Sequence, residues 1–400
     1  MSEDDFSNVC SKIDGEKEFL NAISQKIWNN PELAYKEEQA HETLTSALSR
    51  YGFEVQKNYL LPTAFRAEFS SKAVGGPVVA ILLEYDALPN IGHACGHNLI
   101  SEAGLAASLG VKAAMEADPK LVGTLVVLGT PAEEGGGGKI DLLNMGAFKG
   151  IDAAMMVHPS KFTSTFPPVL SRLSINVDFK GKEAHAAAFP WEGRNALDAA
   201  VAAYQNIGLL RQHIKPSSRI HAIITKGGVI PNIIPADSRL EVYVRAASQS
   251  DLNELTDCIT NCIKSGATAA RCTDAIEYKH KYCYLNLITN KILGDTYDYY
   301  AHKLGIIPTY FPSESMIPAG STARGYMDSR RPSSHPFYDI GTESINHTKE
   351  FTVASSDPKS QGPTLKVAKA LAMTALKLMR CPETLQKIKK QFEEDIAQGL

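Results

Sequence analysis

Three short apolar segments, each followed at once by polar or titratable residues, constrain the fold more than any other feature of this sequence. They are residues 78–84, 124–130 and 153–157. Each has the length of a strand and is apolar on both faces, as buried parallel strands are. Helical stretches at 103–117 and 140–145 separate them, so the order is βαβαβ. This order predicts an α/β fold with a mixed, mainly parallel sheet, in which binding sites lie at the carboxyl ends of the strands.

The sequence after about residue 169 follows a different pattern. An alternating stretch at 171–181 is followed by a long amphipathic helix, two strands, a second helix and a final alternating stretch. This βαββαβ order predicts an inserted ferredoxin-like α+β unit. A chain of 400 residues also exceeds what one core usually holds. We therefore expect a main domain formed by 1–169 and 285–400, with an inserted domain at 170–284.

Composition excludes several classes of protein. The chain has 41 Lys and Arg against 44 Asp and Glu, a formal net charge of -3, so no bulk field attracts nucleic acid or anionic membranes. The start, MSEDDFSNVC, lacks the order of a signal peptide, and no apolar run reaches the roughly 20 residues that span a bilayer. Seven unevenly spread cysteines predict no disulfide framework. We expect a cytoplasmic protein that binds neither nucleic acid nor membrane.

The strongest chemical cluster is the segment GHACGHN, residues 92–98, together with titratable residues that follow the next two strands. Thiolate, imidazole and carboxylate are ligands that zinc accepts, and three strand ends converge on one crevice. The cluster consists of Cys95, His97, Glu133, Glu134 and His158. The residues alone leave open that Cys95 and His97 are ordinary loop residues. That interpretation must also explain two adjacent acids and a His before Pro, all placed after buried strands.

Glu133 and Glu134 are adjacent acids on a glycine-rich loop. Neighbouring side chains in a turn diverge, so one can bind a metal while the other contacts the attacking water; solvated acids are the alternative. The glycines at 135–138 are typical of phosphate-binding loops, but no Lys followed by Ser or Thr succeeds them in the required spacing. We therefore reject nucleotide binding.

Longer motifs extend these observations over nearly the whole chain. They are EYDALPNIGHACGHN, PAEEGGGGK, MMVHP, FKGKEAHAAAFPWEGRNALDA, IPNIIPADSRLEVYVR and INHTKEFT. In these motifs the sequence resembles the metallopeptidase and aminoacylase superfamily, which includes carnosine dipeptidases and indole-acetyl-amino-acid hydrolases. It shares HACGHN and the NHT segment with the β-alanyl-lysine dipeptidase-like branch of amidohydrolases. The resemblance implies a metal-dependent hydrolase of an amide bond in a dipeptide or N-acyl amino acid.

The resemblance also implies a role for each site residue. Two divalent metal ions are expected, zinc first, with manganese or cobalt as alternatives. Their ligands would be Cys95, His97, Glu134, His158 and His347. Cys95 would be the bridging or shared ligand, and Glu133 the general base that takes a proton from water. Asp86 would orient a ligand histidine from behind the metal.

The inserted domain would be a lid and dimerisation domain of a homodimer, and the main domain would be catalytic. In relatives, a His in the position of His185 stabilises the oxyanion, often in the active site of the other protomer. Asn232 and Arg245 would hold the carboxylate of a small-molecule amide or dipeptide substrate.

One segment departs from the pattern of the relatives. They carry Ser-Thr-Asp before the final His, whereas here Ala323 stands in place of the acid, and Arg324, Arg330 and Arg331 are added nearby. Three interpretations stay open: solvated arginines, a pocket rebuilt for an unusual amide that is cleaved or even condensed, and a catalytically weakened homologue that binds or regulates. The presence of all five ligands and the base favours an enzyme.

Overall fold

A computed structural model describes residues 3–72, 75–167, 169–278, 286, 289–309 and 331–397 of the chain. They divide into two compact units. The first unit contains the described residues through 167 and those from 289 onward, and the second contains 169–278 and 286. We retain 1–169, 170–284 and 285–400 as the proposed domain division.

The first unit combines helices with a mixed sheet. Its helices are α1 (Glu3–Gly15), α2 (Lys17–Asn29), α3 (Glu38–Arg50), α4 (His97–Ala117), α5 (Gly138–Asn144), α8 (Lys291–Lys303), α9 (Lys349–Ala354), α10 (Pro358–Arg380) and α11 (Pro382–Ala397). Its strands are β1 (Glu54–Lys57), β2 (Phe65–Ser70), β3 (Val78–Leu83), β4 (Thr124–Gly129), β5 (Ala153–Met155), β6 (His158–Ser160), β11 (Ser333–Ser334) and β12 (Phe337–Asp339).

The strand order of the larger sheet is β1-β2-β4-β3-β5-β11. Strands β3, β4, β5 and β11 pair in parallel, whereas β1 and β2 are antiparallel additions at one edge. Strand β6 pairs in parallel with β12 in a separate small sheet. The predicted mainly parallel sheet is confirmed.

Strand β3 shows why the parallel strands are apolar throughout. Val79, Ile81 and Leu83 pack into a core on one face of the sheet, and Ala80 and Leu82 pack into a core on the other face. Alternate side chains point to opposite faces, so both faces must be apolar when helices cover both.

The second unit is a four-stranded antiparallel sheet covered by two helices. Its elements are β7 (Ser171–Lys180), α6 (Ala196–Leu210), β8 (Arg219–Lys226), β9 (Asp237–Ala246), α7 (Gln249–Ala269) and β10 (Thr273–Tyr278), with short 3₁₀ turns at Pro190–Glu192 and Arg211–His213. The strand order is β10-β7-β9-β8. This is the order of a ferredoxin-like unit, so the predicted α+β insert is confirmed.

The helix caps match the sequence. Asn195 accepts the backbone N–H of Leu197 at the start of α6, and Ser248 accepts that of Asp251 in the first turn of α7. Asp357 caps α10 by accepting the N–H of Lys359. Within the described part of the chain, no helix combines the length and the apolar character needed to cross a bilayer.

Candidate metal centre

The carboxyl ends of three parallel strands bring polar side chains to one edge of the sheet. Asp86 follows β3, Glu133 and Glu134 follow β4, and His158 opens β6 shortly after β5. Because β3 pairs in parallel with both β4 and β5, these strand ends lie side by side.

The segment from Cys95 to His97 forms a tight entry into α4. Gly96 has φ 77° and is the N-cap, so His97 becomes the first residue of the helix. A Cβ atom at Gly96 would lie 2.6 Å from Cγ of Pro159. Positive φ and close packing therefore both require glycine here, and they place the Cys95 thiol and the His97 ring on the same site.

Three overlapping sets of side chains bring their ligand atoms within 4.8 Å of one another. The sets are Cys95 with His97 and His158, Cys95 with Glu134 and His347, and His97 with Glu133 and Glu134. Each of the five predicted ligands and the predicted base belongs to at least one set. Cys95 belongs to two sets, as a ligand shared between two ions would.

Individual distances describe the same convergence. Sγ of Cys95 lies 3.4 Å from Nε2 of His158. Oε1 of Glu134 lies 3.3 Å from Nε2 of His347 and 3.8 Å from Nε2 of His97. Glu134 thus joins histidines that are distant in sequence.

His347 reaches the site through an unusual backbone conformation. Its φ is 68°, and its backbone N–H donates to the carbonyl of Ala94 at 2.8 Å. A non-glycine residue in the left-handed region is strained, and such strain clusters at functional sites. Asn346 also fixes this loop, because its amide donates to the carbonyl of Pro159 at 3.1 Å.

The thiol and the imidazoles change each other's pKa values. Burial alone would raise the pKa of the Cys95 thiol, but His158 and His97 hold it well below its usual range. Hydrogen bonds with Cys95 and Glu134 raise the pKa of His347 to about 11. The geometry therefore favours a thiolate at Cys95, which is the form that binds metals.

The adjacent glutamates are both shifted toward the protonated form. Burial, followed by the charge of Glu84, raises the pKa of Glu133. Burial, followed by the charge of Cys95, raises the pKa of Glu134 well above its usual value. A divalent cation would reverse this electrostatic penalty by offsetting the carboxylate charges.

The donor set fits divalent metal ions. Nε2 of His97 and Oε1 of Glu134 are buried and have no hydrogen-bond partner among the described residues. Leaving such atoms unsatisfied costs free energy, and one cation can satisfy both. Nδ1 of His97 is already engaged with Asp86, so Nε2 is the nitrogen available to a metal.

Supporting residues that sequence reasoning missed surround these groups. Buried Glu37 accepts the N–H of Ala132 at 2.8 Å and thereby stabilises the residue before Glu133, whose φ is 57°. Buried Glu84 forms an ion pair with Lys139 and also contacts His97. The available signal was an acid that ends an otherwise apolar strand segment.

The second unit contains the remaining predicted residues. His185 forms a bridge with Ile233, and the N–H of Ala186 donates to the carbonyl of Asn232 at 3.0 Å, so His185 and Asn232 lie on adjacent loops. Nδ1 of His185 accepts the N–H groups of Ala187 and Ala188 at 3.3 and 3.2 Å. This assigns the ring hydrogen to Nε2.

Arg245 lies on β9, directly opposite Arg172 on β7. Burial, followed by the charge of Arg172, lowers the pKa of the half-buried Arg245. A bound carboxylate would offset the repulsion between these two cations.

The divergent segment is described only at its end. Ala323, Arg324 and Arg330 lie outside the described residues. Arg331 is half-buried and its Nε donates to the carbonyl of Phe148 at 3.2 Å, so its side chain packs against the first unit and is not simply solvated.

Comparison with known sequences identifies close relatives. The family model described as Peptidase dimerisation domain matches residues 171–270. Xaa-Arg dipeptidase of Mus musculus is 46% identical over 398 residues, which cover 96% of this chain and 91% of that protein. One of the p-aminobenzoyl-glutamate hydrolase proteins of Escherichia coli (strain K12) is 34% identical over 285 residues, or 66% of this chain and 58% of that protein.

Comparison with solved structures supports the fold. A dinuclear metal-binding peptidase of the M20 family from Bacillus subtilis aligns with a TM-score of 0.73 at 18% identity, covering 91% of this chain and 99% of that chain.

Proposed function

We propose that this chain, which belongs to the M20 family of peptidases, cleaves the amide bond of dipeptides with a basic C-terminal residue. Its activity class is metal-dependent hydrolysis of a dipeptide or N-acyl amino acid. The observation that carries the proposal is the convergence of a buried thiol, histidines and glutamates around Cys95. The basic specificity is supported by the Xaa-Arg dipeptidases of mouse and human, at 46% and 45% identity over almost the whole chain.

The residues present would hold two divalent ions, which would lower the pKa of water and polarise the scissile carbonyl. We propose zinc, since a cysteine thiolate with imidazoles and a carboxylate suits that ion; manganese and cobalt are the alternatives. The ligands would be Cys95, His97, Glu134, His158 and His347.

Other side chains would move protons and position the substrate. Glu133 would take a proton from the attacking water and deliver it to the leaving nitrogen, as a buried carboxylate with a raised pKa is suited to do. His185 would donate from Nε2 to the oxyanion, because its Nδ1 is an acceptor. Arg245 would bind the C-terminal carboxylate of the substrate.

We further propose a homodimer that shares its active sites. Asn232 precedes β9 and Arg245 lies near its far end, so in one protomer the length of that strand, about 26 Å, separates them. One dipeptide cannot contact both from the same chain. His185 and Asn232 would therefore come from one protomer and Arg245 from its partner.

The edge strand β8 is the proposed contact between protomers. It lies at the edge of the sheet and carries Ile223, with 61% of its surface exposed, and the following loop carries Val229, with 96% exposed. An exposed apolar edge strand is a template for pairing with another chain. A cytoplasmic location also fits, because the six described cysteines are all free.

The test is metal analysis of the purified protein coupled to a hydrolysis screen. The substrates would be dipeptides ending in Arg, Lys, Glu or Leu, together with p-aminobenzoyl-glutamate and N-acetyl amino acids. We expect two ions per chain and the highest kcat/KM for peptides ending in Arg or Lys. Protein that carries two ions and hydrolyses none of these amides would overturn the proposed function. Preference for the glutamate conjugate would overturn only the basic specificity.

A further inference from the structure

Glu84 is a carboxylate at the candidate metal centre that lies outside the five predicted ligands. It follows the last residue of β3, and only 1% of its surface is exposed. Its backbone is fixed, because Oγ of Ser101 on α4 donates to its carbonyl at 2.7 Å. The side chain therefore projects from a rigid strand end at the edge of the sheet where the other donors converge.

The two carboxylate oxygens of Glu84 face different groups. Oε1 pairs with Nζ of Lys139, a fully buried residue in the first turn of α5. Oε2 lies 3.3 Å from Nε2 of His97. Neither Oε2 nor that nitrogen has a hydrogen-bond partner among the described residues.

The distance of 3.3 Å has a direct interpretation. Two ligand atoms that share one zinc ion, with bonds of about 2.0–2.2 Å in tetrahedral geometry, lie about 3.4 Å apart. Nδ1 of His97 is held by Asp86, so Nε2 is the metal-facing nitrogen. An ion bound there would lie next to Oε2 of Glu84.

Lys139 explains why only one oxygen of Glu84 is available. A buried lysine is costly unless it is paired, and its ammonium satisfies Oε1. The turn before α5 places it there: Gly137 has φ 70°, and a Cβ atom at Gly138 would lie 2.0 Å from the carbonyl oxygen of Pro131. The ion pair thus fixes the carboxylate in an orientation that binds through one oxygen.

We propose that Glu84 is a further ligand of the ion that His97 binds, through Oε2, and that Lys139 fixes its orientation. The inference rests on the proposed two-metal site and adds a sixth protein ligand to it. It also assigns a function to a lysine that is remote from solvent.

The experiment compares Glu84→Gln/Lys139→Met with Lys139→Met alone. The double variant removes the carboxylate charge and the ammonium together, so no unpaired charge stays buried. Metal affinity is measured by competition with a chelator, and the site is monitored by the visible absorption of bound Co²⁺. Thermal unfolding of the metal-free proteins reports whether each variant folds.

We expect the double variant to bind one ion as the parent does and the other at least about 10-fold more weakly, with an altered Co²⁺ spectrum. Lys139→Met, which keeps the carboxylate, should bind both ions within about 3-fold of the parent, well inside the 10-fold scale of a lost supporting group. Glu102→Gln is the matched control, because Glu102 is also buried in this unit but does not belong to the site. It should leave both affinities unchanged.

Glu84→Asp keeps the experiment decisive if the double variant does not fold. It preserves the charge opposite Lys139 but withdraws the oxygen from His97, and it should also weaken one ion selectively. Parent-like affinities and an unchanged Co²⁺ spectrum in the folded variants would overturn the role of Glu84 and leave the proposed function intact. A parent protein that binds no metal would instead refute the two-metal site itself.

Discussion

Asp86 holds two candidate metal ligands with its two carboxylate oxygens. Oδ1 lies 3.0 Å from Nδ1 of His97, and Oδ2 accepts the backbone N–H of Glu134 at 2.9 Å. Burial would raise the pKa of Asp86, but His97 lowers it below its usual value, so the group is a carboxylate. One buried anion therefore sets both the tautomer of the histidine and the position of the glutamate loop.

Asp86→Asn should lower metal affinity by about 10- to 100-fold. An asparagine that still accepts from Glu134 must direct its NH₂ group at Nδ1 of His97, which moves the ring hydrogen to the metal-facing nitrogen. Chelator competition measures the affinity. The control is Asp178→Asn, a surface residue of the second unit that pairs with Arg239. Equal affinities in the Asp86 variant and the parent would contradict the orienting role.

Glu133→Gln should retain both ions while kcat falls by at least about 10²-fold, the usual scale of general acid-base catalysis. Glutamine keeps the shape of the side chain but cannot take a proton. The companion variant Glu134→Gln should lose metal, because Oε1 of Glu134 contacts both His97 and His347. Metal loss in the Glu133 variant would show that the two adjacent acids have the opposite roles.

Gly96→Ala should destabilise the protein by at least about 1–2 kcal/mol, the cost of left-handed backbone for a residue with a Cβ atom. The clash with Pro159, at 2.6 Å, adds to that cost and should displace Cys95 and His97. Gly135→Ala is the control, since no atom lies within 4 Å of its added Cβ. Urea unfolding and metal affinity are the measurements, and parent-like values for both at position 96 would refute the packing argument.

The sequence was sufficient to predict the parallel strands and the ferredoxin-like insert, because burial on one or two faces imposes a local hydrophobic pattern. It was not sufficient for α1, whose start Glu3–Asp5 is acidic and whose apolar residues Val9 and Ile13 are few. The edge strand β1 (Glu54–Lys57) was also missed, since its exposed residues carry no alternation.

Tertiary pairing explains what the site prediction lacked. The motifs directed attention to Cys95 and to the adjacent glutamates, whose residue types already suggest metal chemistry. Glu37 and Lys139 serve the site through partners that are distant in sequence, Ala132 and Glu84. Nothing in the local sequence distinguishes such buried acids and lysines from solvated ones, because their environment exists only in the folded chain.

Glu102 provides a test of pH dependence away from the metal. It is fully buried on α4, with Nε2 of Gln361 at 3.5 Å from Oε1, and its Oε2 has no hydrogen-bond partner among the described residues. Burial raises the pKa of Glu102 to about 7, against the opposing hydrogen bonds from Ser24 and Gln361. The folded protein therefore keeps a proton that the unfolded chain releases near pH ~4.3.

The sign of the effect follows from this proton. Between about pH 4.3 and pH 7 the folded state binds more protons than the unfolded state, so the contribution of Glu102 to stability falls as pH rises and levels off above pH 7. Glu102→Gln cannot ionise. The free energy of unfolding of the variant, relative to the parent, should therefore increase by up to about 3 kcal/mol between pH 4 and pH 8.

Urea unfolding of the metal-free proteins at both pH values measures this difference without a contribution from bound ions. Glu116→Gln is the matched control, because Glu116 is an exposed glutamate on the same helix that pairs with Lys112. The control should preserve the pH dependence of the parent. If Glu102→Gln also preserved it, the carboxyl of Glu102 would have to titrate alike in the folded and unfolded chains, and burial on α4 would not be the source of any pH-dependent instability.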